Sequence, residues 1–210
     1  MTISLHGSAT VLFQGDSITD AGRLSDPGYP LGRGYAQMAA ELVRSAWPDS
    51  DITFINRGIS GDGVSDLRAR WREDAVDLKP DVVSVLIGVN DTWRRYDSGD
   101  VTSLRSYEDD YRTILTQIRE GSDTRLILVE PFLVPVAAEQ WAWREDLDPR
   151  IQAVRRLSEE FDAALLAADG LLNQAARTAG GAERIAGDGV HPTPLGHAVL
   201  AEAWTALVGL

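Results

Sequence analysis

The chain has 210 residues, 44% hydrophobic and 25% charged, which leaves room for one globular domain spanning 1–210 with a sizeable core. Its 32 acids against 20 bases give a formal charge of −12, which argues against nucleic-acid partners and against adsorption to anionic membranes, because both need a basic face. There is no cysteine, so disulfides, thiolate metal sites and a cysteine nucleophile are excluded, and no run approaches the roughly 18 apolar residues of a membrane span.

The first residues, MTISLHGSATVLFQ, show no basic region followed by a long apolar stretch. No secretory signal is expected, and the chain reads as cytoplasmic. An apolar run at 10–14 (TVLFQ) predicts the first strand, and GDSITD (Gly15 to Asp20) follows it at once. Tyr35, Met38, Ala39, Leu42, Val43 and Ala46 then recur at helical spacing. A second strand at 52–55 runs into NRGISGD (Asn56 to Asp62), and a third at 82–87 into GVND (Gly88 to Asp91). Tyr107, Tyr111, Ile114, Leu115 and Ile118 form the next apolar stripe, before a fourth strand at 126–129. The segment 130–149, EPFLVPVAAEQWAWREDLDP, carries Trp141 and Trp143 and has no evident periodicity. Such a segment suits a substrate lid or an oligomer contact equally, so a homo-oligomer is compatible with it. A looser stripe (Ile151, Val154, Leu157, Phe161), a fifth strand near 163–167 and a last helix at about 195–207 complete the chain. That helix is expected to bury Leu195, Val199, Ala203 and Leu207.

Near-continuous apolar strands suit a parallel sheet buried on both faces. Their alternation with amphipathic helices predicts an α/β fold, a three-layer α/β/α sandwich with right-handed crossovers. Five strands in the flavodoxin-like order 2-1-3-4-5 bring the loops after strands 1, 2 and 3 to one rim, where ligands of such sheets bind.

Those loops, with Asp188 to His197 (DGVHPTPLGH), hold the polar residues that carry chemistry. Ser17 needs a base to act as a nucleophile. Of the three histidines, His6 precedes the first strand and reads as incidental, while His197 falls in the first turns of the last helix, where packing or capping is its role. His191 follows Asp188 by three residues on a turn and precedes Pro192, so the carboxylate can hold one ring nitrogen while the other faces the serine, although this spacing taken alone reads better as a solvated turn. The backbone N–H groups of Ser17 and Gly61 and the side-chain amide of Asn90 are candidate oxyanion donors. Gly61 and Asn90 read equally well as ordinary turn and cap residues. Asp16, Asp20, Asp62 and Asp91 suggest helix capping more than a divalent-metal site, since no histidine cluster accompanies them.

Together the blocks GDSITD, GISGD, GVND and DGVHP resemble, in order and over nearly the whole chain, the SGNH hydrolases, or GDSL esterase/lipase family. The resemblance implies a serine hydrolase with Ser17, His191 and Asp188 as catalytic triad, an oxyanion hole of Ser17, Gly61 and Asn90, and no metal or cofactor. The nucleophile block reads GDSI rather than GDSL, and no G-x-S-x-G elbow surrounds Ser17. The stretch from Gly58 to Asp97, with GDSITDAGR, is similar to the narrower group of bacterial acetyl esterases that deacetylate xylan fragments. That similarity implies a small-molecule or oligosaccharide acetyl ester as substrate. Trp93 and Arg94, directly after the asparagine block, then become candidate substrate-binding residues, a Trp face suiting a pyranose ring and Arg its hydroxyls. A buried Trp with a surface Arg ion pair fits the same two residues. A lysophospholipase or acyl-thioesterase on the same fold is the alternative enzyme. A noncatalytic module with a nucleotide or sugar at the rim is the alternative outside enzymes, although no phosphate-binding glycine motif follows any strand.

Overall fold

The computed structural model describes Ile3, Leu5 and residues 7–210; His6 lies outside the described residues. Strands β1 (Ser8–Gly15), β2 (Asp51–Asn56), β3 (Val82–Leu86), β4 (Arg125–Val129) and β5 (Ala164–Leu166) form a parallel sheet in the order β2-β1-β3-β4-β5. The central strand β3 is buried along its whole length, as its unbroken run VVSVL requires. Gly15 pairs with Leu86 and Leu86 with Val129, so β1, β3 and β4 end level with one another. The order and the expected rim of loops are therefore as the alternation predicts.

Helices cover both faces. One layer holds α2 (Tyr35–Ala46), α7 (Ala168–Ala179) and α8 (Pro194–Leu207), packed on Val11, Phe13 and Val82. The other holds α3 (Val64–Asp74) and α5 (Leu104–Arg119), with Val154 and Leu157 of α6 (Arg144–Glu160), packed on Leu12, Val83 and Val85. Alternate β1 residues thus feed opposite layers, the period-2 rule applied to a strand buried twice. Two short helices, α1 (Ser17–Asp20) and α4 (Val89–Asp97), start directly at the ends of β1 and β3. No helix among the described residues is long and apolar enough to cross a membrane.

Three local expectations need correction. On α8 the buried face is Leu200, Ala201 and Trp204, whereas Leu195 is 45% exposed. The helix is apolar nearly all round, so periodicity chooses no face, and the largest side chain decides. Trp204 packs on Phe13, with ring centroids 5.0 Å apart, and donates its Nε1–H to Ser84 Oγ at 3.0 Å. Truncating such a residue to alanine costs about 3–5 kcal/mol. Helix α6 begins at Arg144, before the stripe at Ile151, and contains Pro149. A proline six residues into a helix hides the helix start from a reading of the pattern, because proline removes an i→i−4 bond and is ordinarily tolerated only in the first turn. Finally, 130–149 is not structureless. Phe132, Leu133 and Val134 are buried, and Ala138–Trp143 form a 3-10 helix that leads into α6.

Candidate active site

The first polar group past β1 is Asp16, whose Oδ1 accepts the Ile18 N–H at 3.0 Å and caps α1. Ser17 is the first residue of that single turn and sits half-buried at the rim. Its Oγ lies 2.9 Å from His191 Nε2, and His191 Nδ1 lies 2.7 Å from Asp188 Oδ2. Asp188 Oδ1 accepts the backbone N–H groups of Val190 (2.9 Å) and His191 (2.7 Å), which fixes the turn between acid and imidazole. Burial pushes the Asp188 carboxyl up, but the bonds from the His191 ring and from these two N–H groups outweigh it and hold the acid below its ordinary range. An ionised carboxylate only accepts, so His191 Nδ1 carries the hydrogen and the lone pair of Nε2 faces the Ser17 hydroxyl.

The loop after β2 crosses close behind this serine. Asn56 donates to the carbonyls of Thr19 (2.6 Å) and Leu31 (2.8 Å) and accepts the Gly58 N–H at 2.8 Å. A Cβ on Gly58 would fall 2.4 Å from the Asp20 backbone nitrogen, so only glycine permits the approach. Gly61 then turns the chain at φ +88°, a left-handed conformation that glycine adopts without penalty. Asn90, in the first turn of α4, donates Nδ2–H to the Asp62 carbonyl at 3.0 Å and so lies beside the Gly61 turn. The Trp93 ring sits 5.8 Å from the His191 ring, centroid to centroid. Arg94 faces the same turn, with Nη2 donating to the Gly61 carbonyl at 2.5 Å and to Asp66 Oδ2 at 3.0 Å. The structure therefore brings Ser17, His191 and Asp188 into one chain of contacts, sets Asn90 against the Gly61 loop and stands Trp93 beside the imidazole. It ties Arg94 to the loop backbone through one of its nitrogens.

The rim acids are each engaged. Asp20 accepts from Leu24 N–H and Ser60 Oγ, Asp62 pairs with Arg70, and Asp91 Oδ2 accepts the Val64 N–H that opens α3. Burial pushes Asp16 up to about 7 and Asp91 up to about 6. It also raises Asp62, against the opposing pull of Arg70. Among the described residues, no group of three or more His, Asp or Glu side chains is placed to hold a metal ion. His197 is not part of this chain of contacts. Its Nδ1 accepts the Tyr35 N–H at 3.1 Å and caps α2, whose own cap residue, Gly34, has no side chain to offer.

Arg70 and Gln140 escape a reading of motifs, and Trp143 is legible only as part of a lid or an oligomer contact. Arg70 binds Asp62 Oδ2 (2.7 Å), Gln14 Oε1 (3.0 Å) and the carbonyls of Arg57 (2.8 Å) and Gly15 (3.2 Å), locking the two loops to the sheet. Trp143 packs on Trp93 at 5.6 Å. Gln140 donates to the Asp188 carbonyl at 2.6 Å. Arg70 sits on a charged helix face and Gln140 in an unpatterned segment, so neither carries a signal of its own.

Known proteins resemble this chain over nearly its whole length. Over 206 residues, 95% of the chain and 93% of the relative, the sequence is 35% identical to an acetylxylan esterase of Geobacillus stearothermophilus. The crystal structure of Axe2, an acetylxylan esterase from the same organism, superposes with a TM-score of 0.90 at 33% identity, covering 100% of this chain and 97% of that one. Two further structures of that enzyme are described as catalytic mutants, one with a histidine and one with a serine replaced by alanine. LAE5, an α/β hydrolase enzyme from the metagenome of Lake Arreo, gives a TM-score of 0.88 at 29% identity over 98% of this chain and 97% of its own. The model of the GDSL-like lipase/acylhydrolase family matches residues 13–199, and the chain belongs to that family.

Proposed function

We propose that the protein, acting as one unit over residues 1–210, is a serine esterase that removes acetyl groups from carbohydrate esters. One observation carries the reading: the unbroken chain from Ser17 Oγ through His191 to Asp188 at the carboxyl rim of the sheet. His191 Nε2 takes the Ser17 proton as Oγ attacks the acetyl carbonyl carbon. The resulting oxyanion accepts bonds from the N–H groups of Ser17 and Gly61 and from Asn90 Nδ2. The imidazolium returns its proton to the departing sugar oxygen, leaving acetyl-Ser17. Water, deprotonated by the same nitrogen, then releases acetate. Asp188 holds the ring in the tautomer that begins each half of the cycle and stabilises the imidazolium.

The 35% identity to an acetylxylan esterase supports an acetylated xylo-oligosaccharide or related sugar as substrate. Trp93, beside His191, supports a wall for a pyranose ring. The reading is tested by comparing acetylated xylo-oligosaccharides with aryl esters of increasing acyl length. The kcat/KM should fall steeply beyond acetyl, because added methylenes in a tight pocket cost about 1–3 kcal/mol, or about tenfold in rate per 1.4 kcal/mol. Octanoyl esters cleaved as fast as acetyl esters would replace this reading with a lysophospholipase or acyl-thioesterase.

A further inference from the structure

Gln140 lies in the 3-10 helix Ala138–Trp143 with 8% of its surface exposed. A buried amide is costly unless its hydrogen bonds are made, and this one makes them. Its Oε1 accepts the backbone N–H groups of Val136 (2.8 Å) and Ala137 (3.3 Å), and its Nε2 donates to the Asp188 carbonyl at 2.6 Å. The amide also lies against Gly189, at φ +89°, where a Cβ would come within 2.6 Å of Gln140 Oε1. Next to it, the Val134 N–H donates to the Gly189 carbonyl at 2.8 Å. The Asp188 side chain is 48% exposed and that of His191 45%, so packing alone does not hold the acid and the imidazole in place.

The support behind Gln140 is itself stiff. The Leu133 N–H donates to Asp169 Oδ1 at 3.1 Å, and Asn173 donates to the Leu133 carbonyl at 2.9 Å. Arg144 then clamps Asp169 through two bonds of 2.7 Å. The segment between β4 and α6 is thereby tied to α7 at one end and to the acid loop at the other.

We propose that Gln140 is a positioning residue for the acid–base pair: its Nε2–H holds the peptide of Asp188 so that the carboxylate aims His191 at Ser17. The proposal rests on the roles given to Asp188 and His191 above. A displacement of about 1 Å at a reacting group can cost about 100-fold in rate. Moving the Asp188 carbonyl moves the carboxylate that orients the ring.

The test is a double-mutant cycle on an aryl acetate. Gln140→Glu, assayed at alkaline pH so that the carboxyl is ionised, keeps the oxygen that accepts from Val136 and Ala137 but has no donor for Asp188; Gln140→Ala removes both. Each should lower kcat by roughly 10–100-fold with KM nearly unchanged, in protein that is still folded by circular dichroism. In an Asp188→Ala background the same substitutions should change kcat no further, because the residue acts through that acid. A folded Gln140→Glu enzyme with wild-type kcat, or a loss that persists in full alongside Asp188→Ala, overturns the proposal. If Gln140→Ala does not fold, Gln140→Glu decides alone. An Asp188→Ala enzyme with wild-type turnover would instead overturn the roles on which the proposal rests.

Discussion

His191 and His197 stand six residues apart in one short segment, and the fold makes opposite groups of them. His191 lies at the open rim, where an ionised acid places the hydrogen on Nδ1 and turns the bare Nε2 toward Ser17. His197 lies on α8 against the start of α2, where a backbone N–H donates to Nδ1 and so places the hydrogen on Nε2. Burial, helped by the charge of His191, lowers His197 to about 4, so this ring stays neutral through mild acid. Between the two, Thr193 caps α8 by accepting the Gly196 N–H, and Pro194 takes the first helical position. That helix start leaves one histidine in the loop and sets the other, partly buried, against the start of α2. A histidine's chemistry is thus set less by its neighbours in sequence than by which nitrogen its partner occupies.

The largest expected effect breaks the comparison outright. His191→Ala should lower kcat on an acetyl ester by about 10⁴-fold or more, and Ser17→Ala should match it, while the double variant is hardly worse than either because the two act as a unit. His197→Ala should leave kcat on the wild-type scale. If His197→Ala were the crippling change and His191→Ala mild, the assignment of the base would be reversed.

Asn90→Ala sharpens the rim side of the comparison. Loss of one oxyanion donor typically lowers kcat by roughly 10²–10³, with KM little changed. The loss should therefore fall short of that in His191→Ala. A change confined to KM would make Asn90 a substrate-positioning group.

The smallest effect belongs to His197 and appears in stability. Removing its bond to the α2 N-terminus should cost roughly 1–3 kcal/mol in denaturant titration at neutral pH. Its pH dependence has a definite sign. Above 6.5 the ring is neutral in both folded and unfolded chains, and its contribution is complete. As pH falls toward about 4, the unfolded chain takes up the proton while the folded chain resists, so stability is lost. The loss is at most about 3 kcal/mol. His197→Asn, whose amide oxygen can accept the same N–H but does not titrate, should lose less stability than wild type between about pH 7 and about pH 4.5. Equal losses in the two proteins would show that the ring is not buried in its neutral form.

The amino-acid sequence by itself determined the sheet, its strand order and the rim, because unbroken apolar runs and helical stripes can be buried in few ways. Local spacing alone left Asp188 and His191 readable as a solvated turn; the resemblance of four ordered blocks to the SGNH hydrolases is what singled them out with Ser17. The α5 stripe from Tyr107 to Ile118 was legible to the residue, because helical spacing is a local fact. Periodicity failed where a helix is apolar on every side, as in α8, and where proline masks a helix start, as in α6. Only the tertiary structure decided the partners. Arg94 reaches across to the carbonyl of Gly61, Arg70 gathers the carbonyls of Gly15 and Arg57, and Gln140 meets Asp188 from 48 residues away. A hydrogen bond is satisfied by any donor and acceptor the fold brings within about 3 Å. Spacing along the chain therefore says which residues can bond, and the packing of distant loops says which do.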